Sequence, residues 1–341
     1  MDLYLFPEAA TNKNGYGIGV EFAYNRLKPK QEDLIIWYTD LEAEEINHLR
    51  ACDKVIKKNS FYSLRSVKNI LQGKDRTEMR NHDLDFLRGM NFENIHCDEV
   101  IFYRTLRHLF PNKKITLRLH NCFARIKDRK RLLQMDLDWK YSIKLNAMYK
   151  LEREIFQDKN CYKIFISDED RDYYTSNFGK TSDSETWAYI PDVILIKQNR
   201  PHIVNLEKKL IWFGGLESHK MASIIWFIKN VYPQIREAIP EIEFHLWGKN
   251  TLKINYPDKK IFGHGFYNGT GLPNPNGLYI NPDIIGGGIK LKLLSLFEQG
   301  AIFISSPYGF EGYSKDLIDN KYCYVEENDK WAETIIAILK S

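Results

Sequence analysis

The chain has 341 residues, 43% of them hydrophobic and 28% charged, with a formal net charge of +4 at pH 7. That length is too great for one comfortable core, so two domains are expected, and so mild a charge gives no argument for a nucleic-acid partner. The five cysteines, Cys52, Cys97, Cys122, Cys161 and Cys323, are scattered with no C-x-x-C spacing, the N-terminus MDLYLFPEAA has no basic leader, and no apolar run reaches spanning length; the expectation is a cytoplasmic protein, with any membrane contact peripheral and no metal-site signature.

Leu3 to Phe6 reads as a short strand, Asn12 to Gly19 (NKNGYGIG) as a glycine-rich loop, and Val20 to Leu27 as the start of a helix. Strand, glycine loop and helix open an α/β domain that handles nucleotides. The loop lacks a full G-x-G-x-x-G, because Val20 stands where the last glycine would fall, so a plain turn and a ligand loop both remain open. Leu34 to Tyr38 is a second buried strand and Val55-Ile56 a third; Leu64 to Leu71 looks helical. Asp98 to Tyr103 reads as a strand leading into a short helix that ends at Phe110.

Lys113 to His120 (KKITLRLH) is the next strand. Around it lie nine cations from Arg107 to Arg131, with Asp128 as the one acid. This Arg107–Arg131 segment is either a solvated face or a surface for anionic lipid headgroups or a pyrophosphate-bearing acceptor. Asp136 to Asp158 carries Leu145, Met148, Leu151 and Ile155 at helical spacing. Tyr162 to Ile166 is a strand, and Ser167-Asp168-Glu169-Asp170 has the residues of a helix N-cap. The Asp168-Glu169-Asp170 triplet also has the form of the metal-holding Asp-x-Asp, but the cap reading is preferred. Trp187 to Ile190 is a last strand, and Ile196 to Glu207 is taken as a linker.

The second half repeats the alternation. Leu210 to Phe213 is a strand, Gly214-Gly215-Leu216 a turn, Ala222 to Val231 a helix, Glu243 to Trp247 a strand, Ile261 to Gly265 a short strand and loop, and Trp331 to Leu339 a terminal helix. Between them lies LYINPDIIGGGIKLKLLSLFEQGAIFISSPYGFEGY, Leu278 to Tyr313: strand, glycine loop, helix, strand. A glycine loop that opens a helix offers bare N–H groups and the positive end of the helix dipole. Lys290 and Lys292 add charge there, which makes an anion site, best suited to phosphate. Strands separated by helices throughout imply two doubly wound, mainly parallel sheets, with ligands at the carboxyl ends of the strands. The boundaries expected are 1–200 and 201–341, with the last helix a candidate to pack back on the first domain.

Three of these segments, LIWFGGLESHKMASIIWFIKNVYPQI, IEFHLWGKN and INPDIIGGGIKLKLLSLFEQGAIFISSPYGFEGY, resemble the nucleotide-sugar domain of glycosyltransferases with the GT-B fold, in the group 1 (family 4) superfamily. The resemblance covers roughly residues 208–325; the N-terminal half is similar in layout only. It implies two Rossmann-like domains facing across a cleft and a nucleotide-sugar donor whose base and ribose lie on the C-terminal domain. It also implies a glycan or lipid-linked acceptor, a retaining reaction, and no cofactor or essential metal. Lys292, with Lys290 and Lys220 behind it, is implied on the diphosphate, where a cation acts on a leaving group without a metal. His120 matches a histidine at a strand end that touches the donor sugar. Gly15, Gly17, Gly19, Gly214, Gly215, Gly287, Gly288 and Ile289 fall on the donor-side loops, and Glu311 lies near Gly309 and Gly312. The chain departs from the family's glutamate pair: Gly287 stands at the first position and Ser295 at the second, which holds the ribose. Glu298, one turn on, is a candidate substitute. Two further readings remain beside a transferase: a non-catalytic scaffold that keeps the fold, and a nucleotide-sugar epimerase of the same two-domain build.

Overall fold

Seven short runs build the first sheet, the longest of them LIIWYT at Leu34–Thr39. Residues buried on both faces, as in Leu34–Thr39, where all six are buried, are what a parallel sheet covered by helices requires. The computed structural model describes residues 1–6, 15–57, 79, 81–135, 139–179, 184–187, 205–216, 218–269, 271–286 and 289–340. Its Cα positions divide into two units, residues 1–127 with 142–189, and 128–141 with 190–341.

In the first unit the strands are β1 (Leu3–Phe6), β2 (Leu34–Thr39), β3 (Lys54–Lys57), β4 (Ile95–Cys97), β5 (Ile115–Leu119), β6 (Cys161–Phe165) and β7 (Ser184–Thr186). They lie in the order β3-β2-β1-β4-β5-β6-β7, and every pairing is parallel. The helices are α1 (Gly15–Leu27), α2 (Asn81–Arg88), α3 (Tyr103–Leu109), α4 (Phe123–Leu132), α5 (Trp139–Gln157) and α6 (Asp168–Phe178). A core of Tyr4, Phe6, Val20, Ala23, Ile35, Trp37 and Ile46 ties α1 to β1 and β2.

The second unit has β8 (Lys209–Phe213), β9 (Glu243–Trp247), β10 (Ile261–Gly263), β11 (Leu278–Asn281), β12 (Phe303–Ser305) and β13 (Cys323–Val325), all parallel in the order β10-β9-β8-β11-β12-β13. Its helices are α7 (Ser218–Asn230), α8 (Tyr232–Ala238), α9 (Leu291–Glu298), α10 (Pro307–Phe310) and α11 (Trp331–Lys340). The last of these places Trp331, Ile335, Ile338 and Leu339 in the core of this second unit, with Phe227, Tyr232 and Phe244. Both sheets are doubly wound α/β structures. In each, the strand order reverses beside the first strand, between β1 and β4 and between β8 and β11. Such a switch point opens a crevice at the strands' carboxyl ends, where ligands of these folds bind.

Three local expectations change. Helix α1 begins at Gly15 rather than near Val20, so Gly15, Gly17 and Gly19 belong to its first turns. Glycine weakens a helix interior by only about 1 kcal/mol, and burial of Val20 and Ala23 against β1 and β2 outweighs that. The strand expected from Asp98 is instead Ile95–Cys97, followed by a 3₁₀ turn over Val100–Phe102. Glu99 causes the change, because its carboxylate accepts from the Val100 N–H at 2.8 Å and turns the chain. Trp187 lies just past β7, which is Ser184–Thr186. The Leu64–Leu71 helix, the loop residues 12–14, and most of the expected linker lie outside the described residues.

Candidate active site

In the second unit the two loops that flank the switch point carry the cations. The loop after β8 turns at Gly214, whose φ is +138°. Its N–H donates to Trp247 O at 2.9 Å. The approach is so close that a Cβ on Gly248 would lie 2.0 Å from Gly214 O, so the facing position, Gly248, requires glycine. Gly215 follows, and α7 then presents His219 and Lys220.

The loop after β11 presents Asp283 and Lys290, and Lys292 follows in the first turn of α9. Asn281 ends the strand and donates to Ser305 Oγ at 2.9 Å and Gly309 O at 3.1 Å, which ties this loop to α10. Ser306 caps α10, accepting from Gly309 N at 2.9 Å and donating to Asp283 O at 2.5 Å. Tyr308 donates to Gly286 O at 2.5 Å, and Tyr313 to Lys290 O at 3.0 Å. Hydrogen bonds from both sides therefore fix the backbone that carries the lysines.

Asp283 is 1% exposed, and its Oδ2 lies 3.3 Å from Lys292 Nζ. Burial pushes the Asp283 carboxyl up, but Lys292, Lys290, Lys220 and His219 together overcome it and hold it below its ordinary value. Burial acts on Lys292 in the opposite sense to its charge. It brings the ammonium down to about 8, helped by repulsion from Lys220 and Lys290 and resisted by Asp283. Lys292 also lies over the Trp212 ring, 5.2 Å from its centroid, and Lys290 over Tyr308 at 5.5 Å. Arg129, on the stretch of α4 that clusters with this unit, stacks over the same Tyr308 ring at 4.7 Å and donates to Ile284 O at 3.0 Å. His219 Nδ1 is 3.0 Å from the Tyr141 hydroxyl. Among the described residues no side chain caps the N-terminus of α9, where the Leu293 amide donates to Lys290 O at 2.8 Å. The arrangement is a cluster of cations beside the start of α9, of a charge suited to a diphosphate.

The other expected donor-side residues fall as follows. Gly287 and Gly288 lie outside the described residues. Ile289 packs into the core beside Gly312, where a Cβ would come within 2.5 Å of it. Ser295 is mid-helix in α9, about 4.5 Å along the axis from Lys292, and Glu298 is the last residue of that helix, about 9 Å along. Burial raises the Glu298 carboxyl above its ordinary value. Glu311 follows the end of α10.

The first unit places a second polar cluster at its own switch point. Asp98 directly follows β4 and His120 follows β5; His120 Nε2 is 3.1 Å from Asp98 Oδ2. Arg118 Nη1 donates to Asp98 Oδ1 at 3.0 Å and to Gly19 O at 2.8 Å. Burial raises the Asp98 carboxyl, and Arg118 and His120 reverse this and hold it below its ordinary range. A Cβ on Gly19 would meet Arg118 Nη2 and His120 Cε1 at 3.9 Å, ordinary contact distance, so packing alone does not require glycine there. Glu152, fully buried on α5, accepts from the Phe123 and Ala124 amides at 2.7 Å and so caps α4, just after His120. Burial pushes its carboxyl up to about 8 against these hydrogen bonds.

Sequence reasoning missed Asp98, Asp283 and Glu152. The signal for the first two was position, an aspartate at or just past a strand's carboxyl end beside the reversal in strand order. Much of the basic Arg107–Arg131 segment is committed to internal partners. Arg107 pairs with Asp158, Arg118 with Asp98, and Arg125 with Asp170. In the Ser167–Asp170 stretch, Ser167 Oγ accepts from Asp170 N at 3.2 Å, which makes it the N-cap of α6.

No family model matches the chain. Solved structures align over nearly all of it. The galactosyltransferase WaaB of the lipopolysaccharide outer core, in its apo form, is 12% identical with a TM-score of 0.54, covering 100% of this chain and 90% of its own. TarM is 11% identical with a TM-score of 0.60, covering 99% and 91%. Anabaena HepE in complex with UDP and glucose is 10% identical with a TM-score of 0.57, covering 100% and 90%. A curated relative, an uncharacterized 44.6 kDa protein in the cps region of Klebsiella pneumoniae, is 21% identical over 308 residues, covering 82% of this chain and 75% of that protein. The chain therefore has the GT-B fold, with two Rossmann-like units.

Proposed function

We propose that this chain is a glycosyltransferase that moves a sugar from a nucleotide-sugar donor to a glycan or lipid-linked acceptor in surface polysaccharide assembly, with retention and without an essential metal. The observation that carries the reading is the convergence of Lys220, Lys290 and Lys292 with His219 on the switch-point crevice of the second unit. Fixed cations there stabilise the charge that develops on a departing nucleoside diphosphate, which is the work a divalent ion would otherwise do. HepE, with the same fold, holds UDP and glucose, which supports a nucleotide-sugar donor. WaaB and the relative from a cps region support surface glycan assembly, of the lipopolysaccharide or capsule kind. His120, beside Asp98, is assigned to the donor sugar, and Ser295 or Glu298 to the ribose.

The acceptor reading narrows the basic segment to its outer end. The Arg131 side chain is 80% exposed, and Leu132 and Trp139 are 70% and 67% exposed. That mixture of cation and apolar surface suits contact with an anionic bilayer holding a lipid-linked acceptor. Among the described residues no helix is long and apolar enough to cross a membrane.

The test is a nucleotide-release screen across UDP-, GDP-, dTDP- and CMP-sugars, with and without a chelator. The expected result is turnover with one donor class, unchanged by EDTA. Failure of every nucleotide and nucleotide sugar to stabilise the protein would favour the scaffold reading, and loss of activity with EDTA would overturn metal independence.

A further inference from the structure

An anion site has no need of a carboxylate, yet Asp283 sits among these cations, 1% exposed. Among the described residues neither carboxylate oxygen receives a well-formed hydrogen bond, and neither does Lys292 Nζ donate one. Burying an ionised carboxylate without hydrogen bonds is costly. What offsets it is the field of the surrounding cations, with Lys292 nearest at 3.3 Å.

We propose that Asp283 is a positioning residue of the diphosphate site, a resident counter-ion that holds Lys292 in place while the site is empty and yields it to the diphosphate of an incoming nucleotide sugar. The inference rests on the nucleotide-sugar reading and adds a residue that reading does not contain.

Three features support it. The carboxylate is positioned by its backbone: Ser306 Oγ donates to Asp283 O, and the next amide, Ile284 N, donates to Ser223 Oγ at 3.3 Å. Its place therefore survives when the lysine changes partner. An ammonium has three donors, and those of Lys292 are not locked into bonds, since the group lies between Asp283 and the face of Trp212. A contact that is Coulombic and loose in geometry can be exchanged for a better one at small cost. Charge acts in the same direction. Lys292, Lys290, Lys220 and His219 all act on Asp283, and its one negative charge lowers by one the positive charge that this cluster presents to an incoming anion.

The proton linkage gives the test. The groups that face Lys292 are Asp283, Lys220 and Lys290, with the Trp212 ring, and His219 also faces Asp283. An anion that recruits Lys292 raises its proton affinity. Affinity is then flat while Lys292 is charged in the free protein, and falls as pH rises above about 8. Asp283 is the group that helps Lys292 keep its proton, so its removal moves the fall to lower pH. Below that fall, its removal strengthens anion binding.

The experiment is calorimetric titration of magnesium-free pyrophosphate, and of UDP, into the wild-type protein, Asp283→Asn and Lys292→Gln across neutral to alkaline pH. In Asp283→Asn, both ligands are expected to bind about tenfold tighter at the acid end, with the fall displaced down by about one pH unit. In Lys292→Gln the fall is expected to vanish. A folded Asp283→Asn with wild-type affinity and wild-type pH dependence overturns the inference and leaves the nucleotide-sugar reading standing. Wild-type protein that binds neither pyrophosphate nor any nucleoside diphosphate overturns both. If Asp283→Asn does not fold, Lys292→Gln decides, because a fall above pH 8 that persists without Lys292 overturns the proposed exchange.

Discussion

Each unit keeps a buried aspartate at its switch point, and the two are compensated in different ways. Asp98 is held on one side by direction: Arg118 donates to one oxygen at 3.0 Å and also holds Gly19 O, while His120 faces the other oxygen at 3.1 Å as an ion-pair contact only. Asp283 faces an ammonium at 3.3 Å, with cations around it and, among the described residues, no well-formed hydrogen bond. A carboxylate fixed by directional bonds to rigid groups sets orientation, because moving any one group breaks the rest. A carboxylate balanced by charge alone sets potential, and its partner is free to leave when a stronger anion arrives. The first unit therefore fixes Arg118 and Gly19 around its aspartate, with His120 beside them, and the second gathers cations.

The largest effect that separates the two belongs to Asp98. Asp98→Ala leaves Arg118 buried without its counter-charge and should cost about 3–5 kcal/mol of stability, read as a lowered midpoint in urea unfolding. A near-neutral result would show that the first cluster is not held in this way. Next comes Lys292→Ala, which should weaken transition-state stabilisation by roughly 1.5–3 kcal/mol, the worth of one charge-assisted contact. That loss should appear in kcat/KM for the donor, whereas His120→Ala should lower turnover more than nucleotide affinity.

A smaller effect tests the support behind His120. Folding raises the Glu152 carboxyl from 4.5 to about 8, so the native state keeps a proton that the unfolded chain releases. The stability this contributes is full below pH 4.5 and is lost as pH rises to about 8, with a slope of at most roughly 1.4 kcal/mol per pH unit. Urea unfolding as a function of pH should show that decline, and Glu152→Gln should flatten it; an unchanged slope would contradict the burial argument. The smallest effect is at Gly19. Alanine fits there at 3.9 Å from its neighbours and should stabilise α1 by up to about 1 kcal/mol without loss of activity, whereas lost activity would mean that the glycine itself serves the ligand.

The two clusters were unequally legible in the sequence. Lys290 and Lys292 stand beside their glycine loop, so spacing alone brought them to a helix N-terminus. Asp98, His120 and Gly19 meet only through the pairing of β4 with β5, Cys97 opposite Leu117, and through a contact between residues 99 apart in sequence. No local pattern carries that information. Asp283 was hidden differently, because Pro282-Asp283 reads as a turn, and only burial shows the carboxylate facing inward. The two parallel sheets were readable from runs of buried strand residues. The start of α1 was not, because three glycines within five residues look like a loop until Val20 and Ala23 are seen packed on β1 and β2.

The central claim is that the cations of the second unit form a diphosphate site. Calorimetric titration of UDP, GDP and dTDP, each paired with its nucleoside, tests it most directly in the wild-type protein and in a Lys290→Ala/Lys292→Ala double variant. The account predicts that one diphosphate binds at least about a hundredfold tighter than its nucleoside, and that the double variant abolishes the difference. Equal affinity for nucleoside and diphosphate, or a double variant that binds like the wild type, would contradict it.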